Sequence, residues 1–475
     1  MSCLSFPARL MLKPTNGFQW RSQSVFVLIA AGATLSLNDF LTFPILVGQN
    51  GGGAFLLLYM FFLLLMGLPL LMGELLIGRL GRLDPAGCFE ILAKRNHASV
   101  TWKSIGFISM VAAFLIVATF SVVAGWSLSY LLKFGLGFFN HITVDEVSIR
   151  FDEFIADIES MTLWHTLFVI LLVSISAQNL RVGVERISLL LVPGMVFLLL
   201  VGLTGAIYSP GFDQSAKFLL YTDFSALDSN APLVALHRAF YTLALGTGAM
   251  IAYGSYLPRN CSIGYAAMLV IVIDLTFSIL VGLSINALIF SADILPDIDN
   301  QFAFRVFPVV FNQLGSGQLY GTLFYLMLTL AALTTSIALM EGPVCYIQRY
   351  FQVSRIKAVS LLALGIWIFG LGVIFSYNVW NEEGFTLALF FGDEAVRLVK
   401  NAGFNDIVVF LSSRLIQPFA ALMLCLFLAW VIPRQISYRR LGLGGRSWFE
   451  IWNYLVRYVT PVLLLVVTLG AIGVI

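Results

Sequence analysis

A chain of 475 residues that is 59% apolar, carries 40 glycines besides and is only 11% charged cannot clothe itself as a soluble globule, where roughly a quarter of residues are charged. Its net charge of +2 offers no basic face to nucleic acid. None of its seven lysines follows a glycine, and neither GxSxG nor HExxH occurs, so no ATP-driven pump and no catalytic residue is expected.

The first 23 residues lack a long apolar core and a small-residue cleavage site, and read as a cytoplasmic tail. Runs long enough to cross the bilayer, about 20 residues each, follow at approximately 24–47, 53–78, 104–135, 162–179, 187–208, 232–256, 264–291, 319–347, 357–376, 407–432 and 453–475. The chain is therefore expected to be an all-α polytopic membrane protein embedded in a lipid bilayer. Eighteen lysines and arginines fall on the side of the N-terminus, against six on the other (Lys133, Arg150, Lys217, Arg305, Arg397 and Lys400), which places the N-terminus in the cytoplasm. Three outer loops, about 136–161, 209–231 and 292–318, are long and acidic, with room for short surface helices over an entrance. The five cysteines (Cys3, Cys88, Cys261, Cys345 and Cys425) are scattered and form neither a disulfide framework nor a metal cluster.

Two spans are interrupted. The first carries Gly32-Ala33-Thr34-Leu35-Ser36-Leu37-Asn38-Asp39 in mid-membrane, and the sixth carries Leu245-Gly246-Thr247-Gly248. Unwound backbone at that depth survives only where it lines a cavity. Interruptions at matching places in the first and sixth of ten helices suggest two five-helix halves and a midplane site, as in inverted-repeat transporters. The halves are expected at 24–208 and 232–432, with 453–475 as an additional span.

Trp20, Phe43-Pro44, Asn50-Gly51-Gly52-Gly53-Ala54-Phe55, Gly67-Leu68-Pro69, Glu74 and Gly78-Arg79 resemble the first hairpin of the neurotransmitter:sodium symporter family. The resemblance resumes at Phe240-Tyr241-Thr242-Leu243, at Ala249 to Tyr256, and at Ala331-Ala332-Leu333-Thr334-Thr335-Ser336-Ile337-Ala338. Eleven spans resemble many bacterial members. The resemblance implies the leucine-transporter fold, a bacterial inner-membrane location and sodium-coupled uptake of a small amino acid or related amine, without an organic cofactor.

The resemblance also implies sites. The second sodium site matches Gly32, Leu35 and Ala331 (carbonyls) with Thr334 and Thr335 (hydroxyls); without it, both threonines read as back-bonded to their own helix. The first site departs from the family pattern: Thr34, Asp39, Thr242 and Asp274 stand where an alanine, two asparagines and a threonine are usual, so both amides have become acids. The neighbouring chloride or carboxylate site matches Tyr59, Arg238, Thr242, Asp274 and Ser278, with arginine in place of glutamine. Sodium between the acids, a protonated acid, or the guanidinium in the ion's role would each balance the charge. The expectation is that Arg238 pairs with Asp274 and dispenses with chloride, leaving Asp39 for sodium or a proton.

The substrate wall matches Thr34, Ile116, Phe120, Tyr241, Ala244, Thr247 and Leu339. The tyrosine that meets the substrate carboxylate in the family is Phe120 here, so its hydroxyl is either supplied by Tyr241 or lost. A solute carboxylate is expected at the broken first helix, on backbone N–H groups. The family's two ion-pair gates match Thr42 with Val409 and Gly17 with Arg349, so neither pair is kept. Arg414 reads as a snorkelling or loop-paired side chain, and Glu74 and Glu341 as groups that tie helix ends. The lost gates leave a second possibility, a membrane binding protein or regulator that kept the fold and lost coupled transport.

Overall fold

A computed structural model describes residues 18–140, 142–292, 301–380, 385–391 and 394–472; Cys3 and Gly17 lie outside them. Among the described residues nine helices are long and apolar enough to cross a membrane: Gly53–Gly81, Val100–Gly135, Ile158–Ser176, Arg181–Ile207, Ile263–Ala292, Gly317–Phe351, Arg355–Tyr377, Phe404–Trp430 and Arg446–Ala471. The first span is a bent pair, Gln23–Thr34 and Leu37–Gln49, at 57° to each other. The sixth is a shorter broken pair, Ala231–Tyr241 and Ala249–Ser255. With these two, the eleven expected spans are all present, and the chain is an integral membrane protein.

Span ends shift where polar chemistry sets them. The fourth span starts at Ile158, because the Asp157 carboxylate accepts the backbone N–H of Glu159 at 3.0 Å and of Ser160 at 3.2 Å, an N-cap that apolar length does not register. The eleventh starts at Arg446, on an amphipathic turn that buries Phe449 and Trp452 and exposes Trp448. The outer loops carry surface helices at Val144–Ala156, Phe212–Leu220, Phe302–Arg305 and Phe307–Asn312. One element has no counterpart in the expected spans: an antiparallel hairpin of β1 (Phe385–Phe391) and β2 (Glu394–Ala402) before the tenth span. Its sequence signal is Gly392-Asp393 between two strand-like runs.

The Asn50-to-Phe55 motif shows why it is glycine-rich. Gly51 and Gly52 take φ of +93° and +59°, and a Cβ on Gly51 would meet the Ala226 carbonyl at 2.7 Å. The turn thus lies directly under the loop that follows Phe212–Leu220. The eighth span is buried along most of its length and packs on the third, whereas the fifth and eleventh lie outermost. Of the four π-helical turns among the described residues, three, Leu63–Gly67, Phe410–Ile416 and Leu455–Val459, each run into a proline (Pro69, Pro418, Pro461). A proline has no N–H for the preceding turn, so the ladder slips by one residue there.

Candidate functional site

The first break is made by Asp39. Its carboxylate accepts the Ser36 N–H at 2.7 Å and the Ser36 hydroxyl at 3.3 Å, restarting the helix as half of a capping box. The Ser36 N–H is thereby turned away from the Gly32 carbonyl four residues back, and Leu35 is extended (φ −67°, ψ 93°). The Ser-x-x-Asp spacing in mid-span was the signal for this restart. The sixth break is held from outside. Glu74 accepts the Gly246 N–H at 2.7 Å, and the Gln417 amide donates to the Leu245 carbonyl at 2.8 Å. Gly246 and Gly248 sit at φ +78° and +76°, and even Ala244 is forced to φ +50°. Glu74 ties the break, as expected of it.

Between the breaks lies a cavity of about 580 Å³. All seven residues of the expected wall, Thr34, Ile116, Phe120, Tyr241, Ala244, Thr247 and Leu339, line it. It continues past Thr42 and Leu46 to Val409, away from the face where Phe18 lies. That face is latched. Arg349 pairs with Asp84, Arg21 with Glu185 at 2.7 Å, and Arg355 with Glu341 at 2.7 Å. The Trp20 indole donates to the Tyr253 carbonyl at 3.0 Å and the Tyr256 hydroxyl to Glu341 at 2.8 Å. Glu341 joins helix ends as anticipated, and Arg349 finds Asp84 as partner instead of a residue in the N-terminal segment.

Against the cavity floor, the second-ion residues converge. The Thr335 hydroxyl donates to the Leu35 carbonyl at 3.2 Å, across 300 residues of chain, and the Thr334 hydroxyl lies 3.1 Å from the Ala331 carbonyl. Gly32 packs so closely on Val192 that any Cβ would clash, and Thr334 stands beside it. Thr334 does back-bond to its own helix, at 3.1 Å to Leu330, but Thr335 does not. The locus is a set of hard, formally uncharged oxygens.

The first-ion locus is arranged otherwise than expected. Arg238 forms a buried ion pair with Asp39, and not with Asp274. The Asp39 carboxylate accepts from the Ser36 N–H, the Ser36 hydroxyl and Arg238, with the Thr242 hydroxyl 3.4 Å away. Asp39 is therefore not left free. The reason is the capping geometry, which swings its carboxylate toward the sixth span one turn before Thr242, where Arg238 stands. Asp274 lies 3.3 Å from the same Thr242 hydroxyl, which has one proton to share between the two acids, with Thr34 beside it. Its Oδ1, the Tyr59 hydroxyl and the Ser278 hydroxyl are buried without a hydrogen-bond partner among the described residues. Asp274 is thus the acid of this locus that no cation among the described residues pairs.

Two further expectations change. The Tyr241 hydroxyl donates to the Ser413 carbonyl at 3.0 Å, so it does not replace the hydroxyl missing at Phe120. That carbonyl is available because Gln417 N–H reaches back to Ser412 and Pro418 has none to offer. Arg414 pairs with no carboxylate among the described residues; it lines the cavity beside Tyr241 and His237. His237 is committed to the Val467 carbonyl of the eleventh span, 3.0 Å away.

The sodium:neurotransmitter symporter family model matches residues 18–136 and 139–472. An uncharacterized sodium-dependent transporter of Bacillus subtilis is 30% identical over 459 residues, covering 96% of this chain and 98% of the relative. A sodium-dependent neutral amino acid transporter, B(0)AT2 of Bos taurus, is 27% identical across 58% of this chain and 41% of its own. The crystal structure of MhsT in complex with L-phenylalanine superposes with a TM-score of 0.83 at 31% identity, covering 96% of this chain and 99% of that one. The fold is that of the leucine transporter. This chain belongs to the sodium:neurotransmitter symporter family.

Proposed function

We propose that the chain is a secondary transporter that uses sodium bound at the second-ion locus to drive uptake of an amino acid through the cavity between the two breaks. The observation that carries this reading is the meeting of Thr335 with the Leu35 carbonyl at the cavity floor, where the ion's ligands and the solute's wall share the unwound first span. An ion binding Gly32, Leu35, Ala331, Thr334 and Thr335 would fix that span in one shape, and its differential affinity for that shape shifts the carrier's population. The neutral amino acid transporter and the phenylalanine-bound structure among its relatives support an amino-acid solute. Chloride is not required: Asp39 and Asp274 repel an anion at the locus where Tyr59, Arg238, Thr242 and Ser278 also stand.

The repeats are placed at 24–208 and 232–432, with 453–475 outside them, and the N-terminus in the cytoplasm of a bacterial inner membrane, which makes the latched face the inner one and the cavity outward-open. Ion pairs at that face supply the gating that the family's own pairs would have supplied, which favours transport over a mere binding protein. Uptake of labelled amino acids into proteoliposomes tests the reading. Accumulation is expected with an inward sodium gradient, unchanged when gluconate replaces chloride and lost when potassium replaces sodium. Binding without accumulation under any gradient would favour the regulator.

A further inference from the structure

The cavity wall has no carboxylate and three basic side chains: His237, Arg238 and Arg414. Two of them are engaged, Arg238 by Asp39 and His237 by the Val467 carbonyl. Arg414 is different. It stands in the middle of a span, exposed to the cavity, and no carboxylate among the described residues pairs with it. An ionised group within a membrane span is costly unless it serves a ligand path or finds a partner.

The side-chain hydroxyls that could seat a solute carboxylate are missing or taken. Phe120 has no hydroxyl, and the Tyr241 hydroxyl is held by Ser413. At the restart of the first span, the Ser36 N–H is capped by the protein's own carboxylate, Asp39, so what that break offers a solute is neutral N–H groups, whereas Arg414 offers a full positive charge. The residue next to Ser413 is Arg414, carried on the π turn that Pro418 imposes, and π turns gather at functional sites. We infer that Arg414 is the carboxylate receptor of the transported solute, an inference that rests on the amino-acid reading above. A planar guanidinium meets a carboxylate through two parallel N–H···O bonds, which a hydroxyl cannot.

The test compares carboxylate-bearing compounds with their amines on the purified chain in sodium: L-leucine with isoamylamine, L-phenylalanine with phenethylamine, and L-glutamate. The wild-type chain is expected to bind a preferred acid about 10- to 100-fold tighter than its amine, the range of hydrogen bonds to a charged group. Arg414→Gln should bring that ratio close to one by weakening only the acid, Arg414→Lys should keep part of it, and both should melt as the wild type does with and without sodium. A preference for L-glutamate over both neutral acids would support the inference with the side-chain carboxylate as the group held. An Arg414→Gln chain that binds and discriminates like the wild type overturns it while leaving the transporter reading standing. Binding of none of these compounds, or of any other amino acid, to the wild type would instead sink the amino-acid reading itself.

Discussion

Two oxygen-rich loci flank the broken first span, and they solve the same problem in opposite ways. At the second-ion locus the groups are dipoles, namely the carbonyls of Gly32, Leu35 and Ala331 and the hydroxyls of Thr334 and Thr335. These groups also bond to one another or to their own helix, as Thr335 does to Leu35 and Thr334 to Ala331. At the first-ion locus the groups are formal charges, Asp39, Asp274 and Arg238. A buried charge left unpaired costs several kcal/mol, and Asp39 is the acid that would bear that cost. The protein therefore supplies Arg238 itself. Dipoles make a seat that a mobile ion can enter and leave, whereas tethered charge makes a permanent joint between the first and sixth spans.

The comparison breaks most visibly at Arg238. Arg238→Gln leaves Asp39 buried without its counter-charge, and about 3–5 kcal/mol of stability should be lost, measured by denaturation in detergent. Asp39→Asn in the same chain should restore most of it, and Asp274→Asn should not. Asp274→Asn alone removes an uncompensated charge and is expected to be neutral or stabilising, while Asp39→Asn alone destabilises by orphaning the guanidinium. Rescue by Asp274→Asn and not by Asp39→Asn would reassign the pair.

A smaller effect sharpens the role of the sixth break, whose φ of +78° at Gly246 permits the Glu74 contact. Gly246→Ala places a Cβ against the Gln417 carbonyl in a strained conformation, so a loss of about 1–3 kcal/mol is expected, with the melting temperature as readout. An unchanged melting temperature would mean that the break has no fixed shape. The smallest concerns Tyr241. Tyr241→Phe should cost about 0.5–1.5 kcal/mol, the worth of one hydrogen bond, and it should appear in stability and not in solute affinity. A weakened dissociation constant with unchanged stability would return the hydroxyl to the substrate.

The spans were legible because apolar length is a one-dimensional property, and both breaks were legible because glycine and polar residues stand where lipid forbids them. The residues of the cavity wall were legible by resemblance, as was the meeting of Thr335 with the Leu35 carbonyl, since backbone carbonyls and small hydroxyls keep their place when the fold does. The charge pairing was not. Arg238 lies one turn before Thr242 and points at both acids' neighbourhood, so spacing alone leaves Asp39 and Asp274 equivalent. Only the Ser36 cap, which turns Asp39 toward the sixth span, separates them. The place of Arg414 on the cavity wall was not legible for a related reason. The π turn before Pro418, which carries Arg414 on the cavity wall, was not read from the sequence.

The central claim is that sodium sits among uncharged oxygens and not at the acids. Binding of labelled sodium ions to the purified chain at saturating amino acid tests it most directly. One sodium per chain is predicted, abolished by Thr334→Ala with Thr335→Ala and retained by Asp39→Asn with Arg238→Gln. Sodium that persists in the threonine variant, or disappears with the acid–arginine pair, would contradict the account.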